Sequence, residues 1–148
     1  MFFQFEDDFV ESLRCIPMVV RYKLDTCGVK LKLNHWNQLA QDERLTLVEL
    51  PCETETEIQA YRSFIHSVVE KHGSDRPSDL PIAAHPEWRD ATTIPDSVAE
   101  KARSLDQPIT LEQWQALAPL QRFALIKLSR SNHENKNFLP ALKEFHLI

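Results

Sequence analysis

The chain contains a second copy of part of itself. Displaced by 78 positions, Ile16–Leu50 lies on Ile94–Leu128 without a gap, and eleven of the 35 aligned residues are identical. Chance would give roughly two or three identities in a leucine-rich chain. The identical pairs include Pro17/Pro95, Lys23/Lys101, Trp36/Trp114, Arg44/Arg122 and Leu50/Leu128. Each copy reads as a proline-started helix, a short helix anchored by tryptophan, and a third helix with arginine in its first turn. The apolar stripe at Leu33, Trp36, Leu39 and Ala40 is too wide for one copy to bury. Two copies packed face to face, with approximate two-fold symmetry, would cover it. The expected architecture is therefore all-α: two related helical units, a tandem duplication at offset 78, in one domain spanning residues 1–148. Residues 14–73 form the first unit, 74–93 a proline-rich connector and 94–148 the second unit.

Helix starts and stops follow from capping chemistry. Asp8 with Glu11 reads as a capping box, and Pro17 and Pro95 suit helix starts. Asn34 and Asp42 are candidate N-caps. Thr54 with Glu57, and Thr110 with Gln113, have capping-box spacing. The Thr54 box opens a longer helix with Ile58, Tyr61, Ile65 and Val68 on one face, and Gly73 is its candidate C-cap. "GVKLKL" alternates with period two, so a very short extended pairing is expected near residues 29–33 and 107–111. Pro77, Pro81 and Pro86 interrupt the connector, although Trp88 predicts that it packs down.

Composition removes several function classes. Two glycines in 148 residues leave no glycine-rich phosphate loop. A net charge of −5 provides no basic stripe for a phosphate backbone. "LQRFALIKL" is apolar on nearly every side, unlike a recognition helix, so no nucleic-acid partner is expected. An EF-hand register places Ala102, Ser104 and Asp106 at ligand positions and Gln113 where a glutamate is needed, which excludes calcium by that spacing. No apolar run approaches a membrane span, and "MFFQFEDD" lacks the features of a secretory signal. A cytoplasmic protein is the expectation.

No enzyme constellation stands out, and no catalytic residue, cofactor or metal is assigned. The histidines are scattered, with His66, His72 and His146 read as surface or boundary residues on helices. Cys15, Cys27 and Cys52 are a possible thiol site: Cys15 precedes a helix start, and His35 could complete a four-ligand set. Their spacing matches no zinc or iron–sulfur pattern, and Cys27 aligns with Leu105, so burial in the core is the competing reading. Phe2, Phe3, Phe5 and Phe9 are either core or a partner-facing patch.

The repeat also separates scaffold from specialisation. Residues shared by both copies, Trp36, Trp114, Arg44 and Arg122 among them, belong to the fold. Function is expected where the copies differ. After the third helix the first copy carries "PCETETE", with Glu53, and the second carries "SRSNHENK", with Arg130, His133, Glu134 and Lys136. Those five residues are the candidate partner-binding set.

The opening "FFQFEDDFVESLRCIPMVVRYKLDTCGVKLKL" and the closing "LAPLQRFALIKLSRSNHENKNFLPALKEF" resemble the nitrate reductase-associated protein family of cyanobacteria and other bacteria. The likeness covers nearly the whole chain. It implies a small helper of assimilatory nitrate reductase, one that binds the enzyme or its maturation machinery and supports formation of active enzyme. It brings no active-site residue with it. The alternative, drawn from the residues alone, is a thiol-based metal or redox protein using Cys15, Cys27 and Cys52.

Overall fold

The computed structural model describes residues 2–7, 13–73, 76–131 and 135–148. Asp8, Phe9, Glu11, His133 and Glu134 lie outside them, and with them the first capping box and two members of the partner-binding set. Among the described residues the fold is all-α, with eight α-helices and a single pair of two-residue strands. The chain divides into two compact units, one built on Glu6–Ile82 and the other on Ala83–Ile148 together with Phe3–Phe5.

The first unit holds α1 (Met18–Cys27), β1 (Val29–Lys30), α2 (Leu33–Gln38), α3 (Gln41–Glu49), α4 (Glu55–Lys71) and β2 (Ser78–Asp79). Pro17 takes the N-cap of α1, its fixed φ preparing the turn into the helix. Gly28 ends α1 in the left-handed conformation, φ 75°, where its N–H reaches the Leu24 carbonyl at 2.9 Å. Thr54 and Glu57 cap α4 reciprocally: the Glu57 N–H donates to Thr54 Oγ1 at 3.2 Å, and the Thr54 N–H donates to Glu57 Oε1 at 2.9 Å. The long face of α4 buries Tyr61, Ile65, Val68 and Val69. Gly73 closes it with φ 74°.

The strand pairing differs from the sequence expectation. Val29 pairs with Asp79 and Lys30 with Ser78, antiparallel, while residues 107–110 form no strand. Arg62 explains the choice. Its guanidinium donates to the Cys27 and Gly28 carbonyls at 3.2 and 3.1 Å and forms an ion pair with Asp79. Leu80 N–H then reaches the Gly28 carbonyl at 2.8 Å. Ser78–Leu80, part of the segment read as connector, are thus tied to the first unit by their own backbone, while the part from Ala83 onward belongs to the second unit.

The second unit holds α5 (Asp96–Ser104), α6 (Leu111–Ala116), α7 (Pro119–Arg130) and α8 (Phe138–Glu144). The Thr110–Gln113 box forms as its spacing predicts, at 2.9 and 3.2 Å. Helix α7 buries Arg122 and the run Phe123–Ile126, together with Leu128, so this apolar segment is a core element. Trp88 packs edge-on against Phe123, ring centroids 5.1 Å apart. Phe3 stacks on Phe5 and meets Phe145 edge-on at 5.1 Å, which makes part of the N-terminal aromatic cluster core; Phe2 is exposed.

Two N-caps fall two residues earlier than the side chains suggest. Lys32, not Asn34, caps α2, and Ala40, not Asp42, caps α3. In both, the third helical residue reaches back to the cap N–H. His35 Nδ1 accepts from Lys32 at 3.2 Å and Glu43 Oε1 accepts from Ala40 at 2.7 Å. Gln121 does the same for Ala118 at 2.9 Å in α7. A residue at the third position can satisfy an orphan N–H whatever the cap side chain is.

Candidate functional site

The matched tryptophans and arginines do the same structural work in each unit. Trp36 and Trp114 are wholly buried. Trp36 Nε1 donates to the Leu13 carbonyl at 2.7 Å, and Trp114 Nε1 donates to the Asp90 carbonyl at 3.3 Å. Arg44 donates to the Trp36, Asn37 and Leu13 carbonyls, and Arg122 to the Trp114, Leu117 and Trp88 carbonyls. A guanidinium offers five donors in a rigid fork, enough to satisfy the last carbonyls of one short helix and a neighbouring loop together. These arginines are occupied by backbone carbonyls, with Arg122 buried and Arg44 half-buried.

The cysteines separate into a pair and a single residue. All three are free; Cys27 and Cys52 are buried and Cys15 is half-buried. Cys27 Sγ lies 3.6 Å from the Leu24 carbonyl and Cys52 Sγ lies 3.7 Å from the Lys23 carbonyl, successive oxygens on the last turn of α1. The two thiols contact each other. That contact comes first among the causes that push Cys27 far above its usual range, burial second. The same contact holds Cys52 below its usual range against burial, and the Lys23 ammonium adds to the effect while Glu57 opposes it. Burial in turn lowers Lys23.

Two residues that the sequence reading left as scaffold or core frame this pair. Lys23 Nζ donates to the Val48 and Leu50 carbonyls at 2.7 and 2.6 Å, closing the end of α3, and lies 5.8 Å from the Tyr61 ring centroid. Tyr61 donates its hydroxyl to the Leu47 carbonyl at 2.8 Å, and burial raises it well above the usual phenol range. Lys23 was visible only as an identity between the copies, and Tyr61 only as a residue on the buried face of α4.

Among the described residues no group of three or more His, Cys, Asp or Glu side chains is arranged to hold a metal ion. The three cysteines therefore do not make one metal-holding set. His35, the suggested fourth ligand, is buried and committed to the α2 cap. His66 is buried rather than at the surface. Its Nδ1 accepts from Arg76 at 3.4 Å, and burial, then the Arg76 and Arg62 charges, lowers its pKa. His146 follows α8 with φ 60° rather than lying on it.

A second buried polar cluster joins α3 to the end of α4. Glu43 is 7% exposed, and its carboxylate accepts from the Ala40 N–H, from Lys71 Nζ at 3.3 Å and from His72 Nε2 at 2.7 Å. Burial opposes ionisation, but those three partners together hold the carboxyl below its ordinary range. Both ends of α3 are thus fixed by charged side chains.

The described members of the partner-binding set lie at the surface. Arg130 is exposed at the end of α7, where its Nη2 donates to both carboxylate oxygens of Glu87, at 2.9 and 3.2 Å, and its Nε donates to Ser97 Oγ at 3.2 Å. Lys136 is exposed in the short 3-10 turn before α8, and Glu53 is exposed between α3 and α4.

Two compact helical units, arginines spent on helix ends and exposed charged residues in the loops after α3 and α7 define a small all-α protein. The chain belongs to the conserved nitrate reductase-associated protein family, whose family model matches residues 2–145. No curated protein matches the chain. No solved structure matches it either. No described helix is long and apolar enough to cross a membrane.

Proposed function

We propose that this protein is a non-catalytic, cytoplasmic accessory protein that binds assimilatory nitrate reductase, or a component of its maturation, and supports formation of the active enzyme. The observation behind the reading is the match to a nitrate reductase-associated family over residues 2–145. The partner-binding residues in this proposal are Arg130, His133, Glu134 and Lys136, which follow or end the third helix of the second copy, and Glu53, which follows the third helix of the first. The exposure of Arg130, Lys136 and Glu53 supports it. So does the internal comparison: Trp36, Trp114, Arg44 and Arg122 are spent on the fold, which leaves the unlike loops to differ in what they contact. We take the two helical units as descendants of one duplicated segment. The repeated Pro, Trp and Arg roles support that descent, as does the positive φ of both Gly28 (75°) and its counterpart Asp106 (57°).

Affinity capture on this chain, from cells expressing assimilatory nitrate reductase, tests the proposal. The reductase or one of its maturation proteins is expected in the captured set, and charge reversal at Lys136 and Glu53 is expected to weaken its recovery. A captured set without any of these proteins overturns the reading.

A further inference from the structure

Residues 50–54 join α3 to α4 outside both helices, and Cys52 sits in their middle. Its neighbours Pro51 and Glu53 are exposed while Cys52 itself is buried against the end of α1. Both chain neighbours of Cys52 are therefore at the surface, and a short connection between two helices is where local opening is least costly. Beneath it lies Cys27. Each sulfur is held by one of two successive carbonyls, of Lys23 and Leu24, which sets the thiols side by side on the last turn of α1.

From this placement we infer that Cys27 and Cys52 are a redox-active dithiol that a hydroperoxide converts to an intramolecular disulfide, with Cys52 as the attacking sulfur and Cys27 as the resolving one. The roles follow from the surroundings. Cys52 has the Lys23 ammonium near it and the Cys27 S–H against it, both of which favour a thiolate. Cys27, 1% exposed on the last turn of α1, keeps its proton and lies against the Cys52 sulfur, where it can resolve the oxidised partner.

The chemistry balances with the hydroperoxide as sole oxidant. The Cys52 thiolate attacks one peroxide oxygen. An S–O bond forms, the O–O bond breaks, and the leaving alkoxide, or hydroxide from hydrogen peroxide, takes a proton. Cys27 then attacks the Cys52 sulfur: the S–S bond forms, the S–O bond breaks, and the departing hydroxide leaves as water with the Cys27 proton. Two thiols lose two electrons in all, and the peroxide gains them. The inference does not depend on the identity of the partner, because it concerns only groups within the first unit.

Cys15, half-buried and free in the same chain, is an internal control. The fully reduced protein is treated with hydrogen peroxide, and its thiols are followed by alkylation and peptide mass spectrometry. The expected result is a cross-linked Cys27–Cys52 peptide pair, lighter by two hydrogens and restored by dithiothreitol, while Cys15 remains alkylatable. The cross-link should form about tenfold or more faster than Cys15 is modified, because the thiolate is the reacting species. The proposal is overturned if Cys27 and Cys52 stay alkylatable under conditions that oxidise Cys15. It is equally overturned if Cys52 proceeds to sulfinic acid without a cross-link. In Cys27→Ser, with folding checked by circular dichroism, a sulfenic acid on Cys52 trapped by dimedone supports the order of attack, and a folded variant with no adduct refutes it. Should that variant not fold, the wild-type peptide pair decides.

Discussion

The indole N–H of Trp36 donates to the carbonyl oxygen of Leu13 at 2.7 Å, across 23 residues of chain. Leu13 is buried and has φ 53°, a left-handed conformation costly for a side chain with a Cβ. Arg44 reaches the same oxygen at 3.2 Å. Tryptophan and arginine together hold a strained residue in place, and the first unit closes around that point.

Trp36→Phe should therefore destabilise the protein by about 2–4 kcal/mol, through lost buried volume and an indole-to-carbonyl bond left unmade. Urea unfolding followed by circular dichroism measures it. A loss below about 0.5 kcal/mol, the ordinary range for surface changes, would show that the bond contributes nothing.

Arg122→Lys should not behave as a conservative change. Arg122 is 6% exposed and serves three carbonyls, those of Trp88, Trp114 and Leu117, from two of its nitrogens. A lysine ammonium is a single point and leaves buried carbonyls without donors, at a cost of about 2 kcal/mol. Thermal unfolding of the variant, beside Arg122→Met, checks whether the geometry or the stem matters.

The two glycines should respond differently to alanine. A Cβ on Gly28 would lie 2.7 Å from Ile82 Cγ1 and 2.9 Å from the Leu80 carbonyl, and φ is 75°. At Gly73 a Cβ meets nothing within 4 Å, so only the positive φ opposes it. Gly73→Ala is expected to cost about 1 kcal/mol and Gly28→Ala clearly more. Equal losses in denaturant unfolding would mean that the Ile82 contact yields freely.

Acid should loosen α3 through Glu43. Its carboxyl is held below the ordinary range, so its contribution is fully present above the unfolded value, about 4.3. It is lost as pH falls through the lower folded value. Glu43→Gln should be less stable than wild type near neutrality, and the gap should narrow as pH falls below about 4. Unfolding curves at several pH values test the sign; a gap that widens in acid refutes it.

Much of the scaffold was legible because its signals are local. Threonine followed three residues later by Glu or Gln, and proline at a helix start, act within a turn of chain. The repeat itself picked out Trp36, Trp114, Arg44 and Arg122 before any packing was visible. The cap positions of α2 and α3 were misplaced because any residue with an extended backbone can serve there once His35 or Glu43 reaches back. The thiol pair was legible only as three cysteines, since 25 residues separate Cys27 from Cys52 and no spacing rule pairs them.

By itself the sequence determined the helical class, the helix starts at Pro17, Thr54, Pro95 and Thr110, and the roles of the matched residues. Helix formation is governed by neighbours three or four positions apart, and those are written consecutively. Tertiary structure alone decided that β1 pairs with Ser78–Asp79, that Lys23 closes the end of α3, that Glu43 meets His72, and that Cys52 rather than Cys15 lies against Cys27. Each of these joins groups separated by 25 or more residues. What brings such groups together is the burial of whole helix faces, whose direction no single stretch of sequence specifies.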